Sequence, residues 1–331
     1  NYMEDEDNNS SNKAKKNEDN ENKNKDSEST EETDDEFNPT LAAMESEIKP
    51  KILIVEPNSK NPAVEVAKKL KIPVCEIKTK ENTPSGMFDL FNNTKDFELP
   101  NEEDESLVLH TSGTTSRPKI VPLSNKNIFS SSENISSSLN LDENDHCLNI
   151  MPLFHIHGLI AVLATSMKVG ASICASSGFN ALKFLDLAKS EKITWYSGVP
   201  TMHQAILLRA NKSGDVAKKL NLRLIRSSSA SLPPAVFKNL NEVFNCTFIE
   251  EYGKTEATHQ MTSNPLPPKQ QKAGFVGIPA GPEVCIMDDN GNILKHGNVG
   301  EICIKGDNVC LLYTSDAADE RSSVDLGGRR I

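Results

Sequence analysis

A loop rich in hydroxyl groups follows a short apolar stretch near residue 110. Residues 111–119 read TSGTTSRPK, so nine positions hold five hydroxyl side chains, one glycine and two cations. A glycine lets backbone N–H groups converge on an anion, hydroxyl groups add donors, and lysine or arginine adds positive charge. The spacing differs from that of a Walker-type loop. The composition favours a phosphate-binding loop, with an ordinary Ser/Thr turn as the alternative.

A second polar segment reads MPLFHIHG over residues 151–158 and places His155 and His157 on either side of an isoleucine. A metal site would need further ligands, and the segment holds no Cys, Asp or Glu, so metal binding is disfavoured. Two interpretations stay open. The histidines form a polar wall of a substrate pocket, or they are core residues satisfied by hydrogen bonds.

A third segment, residues 250–259, reads EEYGKTEATH and combines an aromatic ring, a glycine, hydroxyl groups, carboxylates and a histidine. Tyr252 can stack on a base, Thr255 can bond a phosphate, and Glu256 can hold a magnesium ion. Each residue alone is more often structural than functional. Together, and after a separate phosphate-type loop, they favour a nucleotide site.

The elements that would position these loops alternate between strands and helices. Apolar runs predict strands at residues 51–55, 72–74, 106–110, 147–151, 171–174, 193–197, 224–227 and 247–251. Amphipathic spacing predicts helices at residues 61–70, 124–140, 158–168, 181–190, 200–209 and 233–244. This alternation predicts an α/β fold with a mainly parallel sheet flanked by helices, and ligands bind outside the carboxyl ends of such strands. From Gly274 onward, short strands around a D-N-G turn predict a small β subdomain.

The net charge of -11 over 331 residues is concentrated in one segment. Residues 1–40 hold 14 acids and 5 lysines, a balance of -9, which leaves -2 for the remaining 291 residues. A near-neutral body argues against a nucleic-acid binder that works through a basic face. Residues 4–36 are almost entirely polar, which predicts disorder, either as an acidic interaction segment or as a low-complexity insertion.

The cysteine pattern and the lengths of the apolar runs indicate the redox compartment and whether a membrane span is expected. The seven cysteines are irregularly spaced without a C-x-x-C pair, which is typical of reduced thiols rather than a disulfide frame or zinc site. The sequence has no apolar run of 18 residues, so no membrane span is expected.

The three loops and their neighbours resemble the motifs of the adenylate-forming superfamily, which includes acyl-CoA synthetases, peptide-synthetase adenylation domains and luciferases. The matching segments follow the family's order over residues 106–309: TSGTTSRPK, MPLFHIHG, GVPTMHQAIL, RSSSASLPP, EYGKTE and VGIPAGPEV…GNVGEICIKG. Within the superfamily, TEATHQMTSNPLP and Ser116, where most members have glycine, look like the oxalate–CoA ligases. Ile120 and Lys254 depart from the usual pattern, which has glycine after the loop lysine and methionine before TE.

The resemblance implies a two-step reaction in which a carboxylate attacks the α-phosphate of ATP and the thiol of CoA then displaces AMP. By motif match, the β- and γ-phosphates would be held by Thr111, Ser112, Gly113, Thr114, Thr115, Ser116 and Lys119. Tyr252 would stack on adenine, and the nucleotide pocket would also include Ser228, Ser229, Ala230, Glu250, Glu251 and Gly253. Thr255 would contact the α-phosphate, Glu256 would bind Mg²⁺, and His155 would lie between the carboxylate and the α-phosphate.

The acid we expect is oxalate. A second negative charge is costly to bury unpaired, and a pocket rich in His and Ser would satisfy it. The candidates for this pocket, besides His155, are His157, His259, Ser229 and Ser231, with His259 and Ser229 favoured. Alternatives are a ligase for fatty or aromatic acids, or a non-catalytic member that only binds nucleotide or acyl ligand.

The resemblance also implies how the chain is divided. We expect a disordered segment at 1–40, the α/β part that binds ATP and acid at 41–273, and a β-rich end at 274–309. Residues 310–331 resemble a translated sequencing adapter. The family's ribose-binding aspartate and its C-terminal domain with the catalytic lysine are expected to follow Val309, so these 331 residues should be a fragment with little activity. A cytosolic or peroxisomal location and the oligomeric state stay open.

Overall fold

The computed structural model of the protein describes residues 49–79, 87–89, 99–111 and 119–310. The chain divides into two compact units, residues 1–97 and 98–331. The predicted acidic segment at 1–40, most of the predicted phosphate-binding loop and residues 311–331 therefore lie outside the described residues.

The first unit contains a small β-α-β element. Strand β1 (Leu53–Val55) pairs in parallel with β2 (Val74–Glu76), and helix α1 (Pro62–Lys69) connects them. The side chain of Asn61 caps the helix by accepting a hydrogen bond from the backbone of Ala63. Strands β3 (Lys78–Thr79) and β4 (Phe88–Asp89) form a short antiparallel pair. The predicted β-α alternation is therefore present here.

The second unit begins with a hairpin that frames the predicted phosphate-binding loop. Strand β5 (Glu105–Thr111) pairs antiparallel with β6 (Lys119–Ser124), and residues 112–118 connect them. Our sequence analysis missed β6 because Pro122 interrupts the run. Val121 and Leu123 are nevertheless both fully buried, which is the alternation of a one-sided strand.

The main sheet has seven strands in the order β13-β12-β11-β10-β9-β7-β8. Their bounds are β7 His146–Asn149, β8 Ser172–Ala175, β9 Trp195–Gly198, β10 Leu224–Ser227, β11 Thr247–Lys254, β12 His259–Ser263 and β13 Ile278–Pro279. Strands β7 to β11 are parallel, as predicted, whereas β12 and β13 are antiparallel. The direction changes because β11 turns back through a one-turn 3₁₀ helix, Thr255–Ala257, and returns as β12.

Helices cover both faces of this sheet, which confirms the α/β prediction. They are α2 (Asn125–Leu139), a π-helix (His157–Ala164), α3 (Thr165–Lys168), α4 (Ala181–Ser190), α5 (Pro200–Lys212), a 3₁₀ helix (Gly214–Lys219) and α6 (Pro234–Phe244). Ser124 and Asn127 form a reciprocal capping box at the start of α2. The predicted helix at 158–168 is present but opens as a π-helix, a form that is rare and often lies at functional sites.

Neighbouring residues of the central strands pack into two different cores. Trp195 and Ile249 lie in a cluster with α2 and the π-helix, whereas Tyr196 and Phe248 lie in a cluster with α4, α5 and α6. Side chains that alternate between two buried faces are expected for a parallel sheet covered on both sides.

The last two strands form a separate antiparallel pair. β14 (Glu283–Met287) and β15 (Glu301–Lys305) pair as the sequence predicted, but residues 288–300 connect them, a longer segment than a tight D-N-G hairpin. The D-N-G segment itself forms a turn in which the Asp288 carboxylate accepts hydrogen bonds from the backbone of Asn290 and Asn292. Strand β13, which we had placed with this β-rich end, belongs to the main sheet.

The segment after β15 returns to the second unit's interior. Asn127 donates its side-chain amide hydrogens to the carbonyls of Asp307 and Val309, at 2.8 and 3.1 Å. Within the described residues, no helix combines the length and apolar character that crossing a membrane would require.

Candidate active site

The loops singled out from the sequence follow strands that lie side by side. In the register of the sheet, Ser227 pairs with Gly198 on one side and with Glu250 on the other. The carboxyl ends of β9, β10 and β11 therefore meet at one edge, where ligands bind in open α/β sheets.

A group of polar side chains lies buried at this edge, and we call it the buried polar cluster. Its members are His157, Ser197, Arg226, Glu251, His259 and Gln260. All are at most 4% exposed, and the Arg226 and Glu251 side chains are at 0%. Polar groups so deeply buried need partners, and several members of this cluster bond to each other. Within the described residues, Arg226 Nε and both carboxylate oxygens of Glu251 have no hydrogen-bond partner.

The hydrogen bonds of the cluster centre on one arginine. Arg226 lies 3.2 Å from the Glu251 carboxylate and donates to Ser197 Oγ at 3.4 Å and to Gln260 Oε1 at 3.3 Å. A further contact of 3.4 Å joins Arg226 to His259 Nδ1. The guanidinium is thus the only permanently positive side chain among the cluster's members, and Glu251 is its counterion.

The two imidazoles of the cluster lie close together. The ring centroids of His157 and His259 are 5.0 Å apart. His157 Nε2 lies 2.6 Å from Ser197 Oγ, and its Nδ1 lies 3.2 Å from Ser229 Oγ. Ser229 itself is exposed and has a left-handed backbone, φ 67°, so it links the buried cluster to the surface.

Burial fixes the charge states of these groups. Desolvation, aided by the nearby charge of Arg226, holds the pKa of both His157 and His259 well below the usual histidine value, so both rings are neutral at physiological pH. Burial also raises the pKa of Glu251 to about 7, against the opposing effect of Arg226. The site edge therefore combines one buried cation with neutral hydrogen-bonding groups.

Arg226 is the functional candidate that our sequence analysis missed. It appeared only as the first letter of a motif, RSSSASLPP, and carried no assigned role. The available signal was its place in an apolar strand of a buried parallel sheet, where a charged residue is rare unless it has a partner.

The second part of the site is the β11–β12 turn, residues 255–258. Its backbone is tied by Asn308, whose amide donates to the carbonyls of Ala257 and Gln260 at 2.8 and 3.1 Å. Thr258 Oγ1 donates to the Asn308 carbonyl at 2.7 Å. The backbone N–H of Cys310 donates to the Glu256 carbonyl at 2.9 Å.

The side chains on this turn are more accessible than those of the buried polar cluster. Thr255 and Glu256 are half-buried, and within the described residues their side chains make no hydrogen bond to the protein. Tyr252 is also half-buried, and burial, with a smaller effect from Glu256, raises the pKa of its phenol. These three side chains are therefore available to a ligand.

Gly253 joins the two parts of the site. A β-bulge between Tyr252 and Gly253 shifts the register of β11 against β12. A Cβ atom at position 253 would lie 1.7 Å from the backbone oxygen of His259. Only glycine allows the two strands to approach so closely at this point.

The remaining predicted residues are placed as follows. Ser228 is buried, whereas Ala230 and Ser231 are exposed, and within the described residues neither makes a side-chain hydrogen bond to the cluster. Glu250 points away from Glu251 and accepts a hydrogen bond from the backbone of Gly274 at 2.9 Å. Successive side chains alternate across a strand, so the two glutamates cannot line the same wall.

His155 lies beside the cluster with an exposed ring. Its Nδ1 accepts a hydrogen bond from the backbone N–H of His157 at 3.2 Å, so the ring hydrogen of the neutral form is on Nε2. Desolvation lowers the pKa of this imidazole.

The predicted phosphate-binding loop is only partly described. Thr111 ends β5, the backbone of Lys119 begins β6, and β6 lies against the β11–β12 turn. Ser112, Gly113, Thr114, Thr115 and Ser116 lie outside the described residues.

The chemistry of the donor groups fits Mg²⁺ with a nucleotide better than a protein-built metal site. Within the described ranges, no group of three or more His, Cys, Asp or Glu side chains is arranged to hold a metal. Magnesium that accompanies nucleotide phosphates commonly uses only one or two protein carboxylates. The accessible carboxylate of Glu256 meets that requirement.

Comparison with known proteins agrees with this arrangement. A profile of the family described as AMP-binding enzyme matches residues 32–314. Oxalate–CoA ligase of Arabidopsis thaliana is 38% identical over 293 residues, 84% of this chain and 55% of that protein. Oxalate–CoA ligase of Saccharomyces cerevisiae is 43% identical over 229 residues, 68% of this chain and 41% of that protein.

Solved structures agree on the fold. ATP-bound MatB from Rhodopseudomonas palustris superposes with a TM-score of 0.67 at 26% identity, covering 79% of this chain and 52% of that one. The chain spans about half the length of the curated relatives it matches.

Proposed function

Since the chain belongs to the family of AMP-binding enzymes, we propose that it forms the nucleotide- and acid-binding part of an ATP-dependent acid–CoA ligase that acts on oxalate. One observation carries the choice of acid: a buried arginine with two neutral histidines at the carboxyl edge of the sheet. Both sequence relatives compared above are oxalate–CoA ligases.

In the first step, one carboxylate oxygen of oxalate attacks the α-phosphorus of ATP. The bond between the α-phosphorus and its bridging oxygen breaks, and pyrophosphate leaves. Little covalent work falls to the protein in phosphoryl transfer, so its residues position the reactants and stabilise charge. Thr255 would contact the α-phosphate, and Tyr252 would stack on the adenine. Mg²⁺ held by Glu256 would neutralise phosphate charge.

In the second step, the thiol of CoA gives up its proton to water and its sulfur attacks the oxalyl carbonyl. The bond from that carbon to the AMP oxygen breaks, and AMP leaves. His155 would lie between the acid and the α-phosphate. The hydrogen on its Nε2 would be donated either to an oxygen of the acid's carboxylate or to an oxygen of the α-phosphate. The residues 111–119 would hold the β- and γ-phosphates from the β5–β6 hairpin.

The acid pocket follows from the charge of the substrate. Oxalate keeps one negative charge next to the carboxylate that reacts, and that charge must be paired when water is excluded. Hydrogen-bond donors from Ser229 and His259, backed by Arg226, would pair it. Ser231, unlike Ser229, makes no hydrogen bond to the buried polar cluster within the described residues, so it would lie outside this contact.

Glu251 has a different proposed role from the one first expected. Its carboxylate is fully buried against Arg226, so we propose that it balances the arginine rather than lining an adenine pocket. Glu250 accepts a hydrogen bond from the backbone of Gly274, so it would contribute to nucleotide binding only indirectly, by fixing the loop that contains Gly274.

The complete gene product, purified and assayed for pyrophosphate release with ATP and Mg²⁺, tests the proposal. Oxalate should give a kcat/KM at least tenfold above malonate, acetate, octanoate and 4-coumarate, and CoA should convert the adenylate to oxalyl-CoA. A fatty or aromatic acid that reacts faster than oxalate would contradict the acid assignment. Nucleotide binding without pyrophosphate release from any acid would favour a non-catalytic member.

We also propose a reducing compartment, either the cytosol or the peroxisome. Cys147 is fully buried, and burial raises the pKa of its thiol well above the usual value, as expected for a cysteine that serves as a small apolar residue.

A further inference from the structure

Arg226 differs from every other member of the buried polar cluster in one respect: it can only donate hydrogen bonds. A guanidinium has five N–H groups and no acceptor, and it keeps its proton in proteins. Serine and neutral histidine can each act in either direction. The direction of each hydrogen bond around Arg226 is therefore set by the arginine.

The first consequence concerns His259. Arg226 lies 3.4 Å from His259 Nδ1, whereas the Glu251 carboxylate, at 3.7 Å from the same nitrogen, is beyond hydrogen-bond distance. Arg226 must be the donor in this contact, so Nδ1 is the unprotonated nitrogen of that ring. The hydrogen of the neutral imidazole is then on Nε2. His259 therefore has an N–H donor on the side opposite the arginine.

The second consequence runs through Ser197 and His157. Ser197 Oγ accepts from Arg226 at 3.4 Å, which leaves its own hydrogen to donate to His157 Nε2 at 2.6 Å. His157 then carries its hydrogen on Nδ1 and donates it to Ser229 Oγ at 3.2 Å. The hydroxyl hydrogen of Ser229 remains free to donate to a ligand.

We propose that Arg226 is a positioning residue that directs two hydrogen-bond chains, so that Ser229 and His259 both present donors to the second carboxylate of the acid. This inference rests on the proposed oxalate-ligase function and adds to it the residue that determines acid specificity. A dianion satisfies both donors. An apolar acyl tail would leave them unpaired, which disfavours monocarboxylates.

The charge states support this reading. A directed chain needs neutral imidazoles, because an imidazolium donates from both nitrogens and would reverse one bond in each chain. Burial and the charge of Arg226 lower the pKa of His157 and His259 far enough to keep them neutral. Above its pKa of about 7, Glu251 is ionised and, at 3.2 Å from Arg226, offsets the charge of the buried cation.

The ring-nitrogen tautomers test the proposal directly. Nitrogen-15 NMR of the histidine-labelled complete gene product distinguishes protonated from unprotonated ring nitrogens, and His157→Asn and His259→Asn variants assign the signals. We expect the proton of His259 on Nε2 and that of His157 on Nδ1. A wild-type His259 that carries its proton on Nδ1 would overturn the proposal, and this measurement needs no variant of Arg226.

Arg226→Met removes the cation while keeping most of the side-chain volume. It should redistribute the tautomers of both histidines, raise the KM for oxalate at least tenfold and leave the KM for ATP within twofold. Arg226→Lys, which still only donates, should restore the His259 tautomer and part of the oxalate affinity. Because Arg226→Met leaves Glu251 buried and unpaired, the double variant Arg226→Met/Glu251→Gln is made alongside it.

Unchanged tautomers and an unchanged KM for oxalate in a folded Arg226→Met or double variant would overturn the role of Arg226. Equal rises in the KM for ATP and for oxalate would do the same, since they indicate general damage. If the tautomers are as expected but the enzyme prefers a different acid, the directed chains stand and the proposed oxalate specificity fails.

Discussion

The buried polar cluster and the β11–β12 turn are adjacent along the chain, but they are held in place by different means. In the cluster, side chains bond to side chains, as Arg226 does to Ser197 and Glu251. In the turn, Asn308 and Cys310 bind the backbone, and the side chains of Thr255 and Glu256 are left accessible.

The difference matches the two proposed ligands. In a small dianion, the second carboxylate lies at a fixed distance from the carboxylate that reacts. A preorganised set of donors can therefore bind it without rearrangement. In a triphosphate that carries its metal ion, the ion already orients the phosphate oxygens. The protein therefore needs only accessible side chains on a fixed backbone to bind it. Changes in the cluster should therefore affect acid binding, and changes in the turn should affect turnover.

The largest effect is expected from Glu256→Gln. Loss of the carboxylate charge that would hold Mg²⁺ should lower pyrophosphate release by about 10²-fold or more, the range seen when one charge-stabilising group is removed. The melting temperature should stay within about 2 °C, because this half-buried side chain makes no hydrogen bond within the described part of the protein.

The matched control is Glu242→Gln on α6, an exposed carboxylate 3.8 Å from Lys238, which should leave turnover unchanged. If Glu256→Gln retained more than a tenth of the wild-type rate, the assignment of the turn to metal and phosphate would be wrong.

A smaller effect is expected from Asn308→Ala. The change removes the donor to the Ala257 and Gln260 carbonyls, and both would lose a buried partner. We expect the free energy of unfolding to fall by about 2 kcal/mol. Because the turn would then be less well fixed, kcat should fall by about tenfold, with the KM for oxalate little changed.

Asn298→Ala serves as its control, because Asn298 also donates to a backbone carbonyl, that of Lys295, but is exposed. Urea unfolding and steady-state kinetics give both numbers. If the KM for oxalate rose while kcat stayed constant, the turn and the cluster would not be separable as described.

A further effect concerns the dependence of stability on pH, which follows from the burial of histidines. Burial lowers the pKa of His157, His203 and His259, the second of them to about 4. As the pH falls below 6.5, the unfolded chain binds protons at these sites and the folded chain does not, so stability falls. Glu251 opposes this, because its pKa of about 7 lets the folded chain bind one proton first. The unfolded chain gains about three protons at the histidines and the folded chain about one at Glu251, so the net difference is about two protons, or on the order of 3 kcal/mol per pH unit between pH 6 and 5.

Urea unfolding at pH 7, 6 and 5 measures this slope. His203→Gln should reduce it by about one proton, whereas Gln204→Ala, at the exposed neighbour, should leave it unchanged. A stability that rose on acidification would show that the buried histidines are charged in the folded protein.

Much of the scaffold was predictable from the sequence because its strands are short apolar runs. The prediction at 224–227 matches β10, and those for the helices at 124–140 and 233–244 match α2 and α6 within one residue at each end. Ser124, the first residue of the predicted helix at 124–140, is the N-cap of α2. Strand β12 was missed because HQMTS lacks apolar alternation, and its burial depends on polar partners elsewhere in the chain.

The site was predictable in part. The histidines and Ser229 were singled out by type, and the structure brings His157, His259 and Ser229 together. The pairing of Arg226 with Glu251 was not predictable, because 25 positions separate them in the sequence. Only the parallel register, which aligns Arg226 with Ile249 and Ser227 with Glu250, brings the two charges together.

The hydrogen bonds from Asn127 to Asp307 and Val309 span 180 and 182 residues. Protein synthesis proceeds at about 5–20 residues per second, so Asn127 leaves the peptidyl-transferase centre roughly 10–40 s before its partners are made. During that interval the first turn of α2 lacks two of its final contacts. The start of α2 can therefore reach its final hydrogen bonding only after residues 307–309 have been synthesised. In a nascent chain that pauses before residue 307, that helix end is exposed to other binding partners.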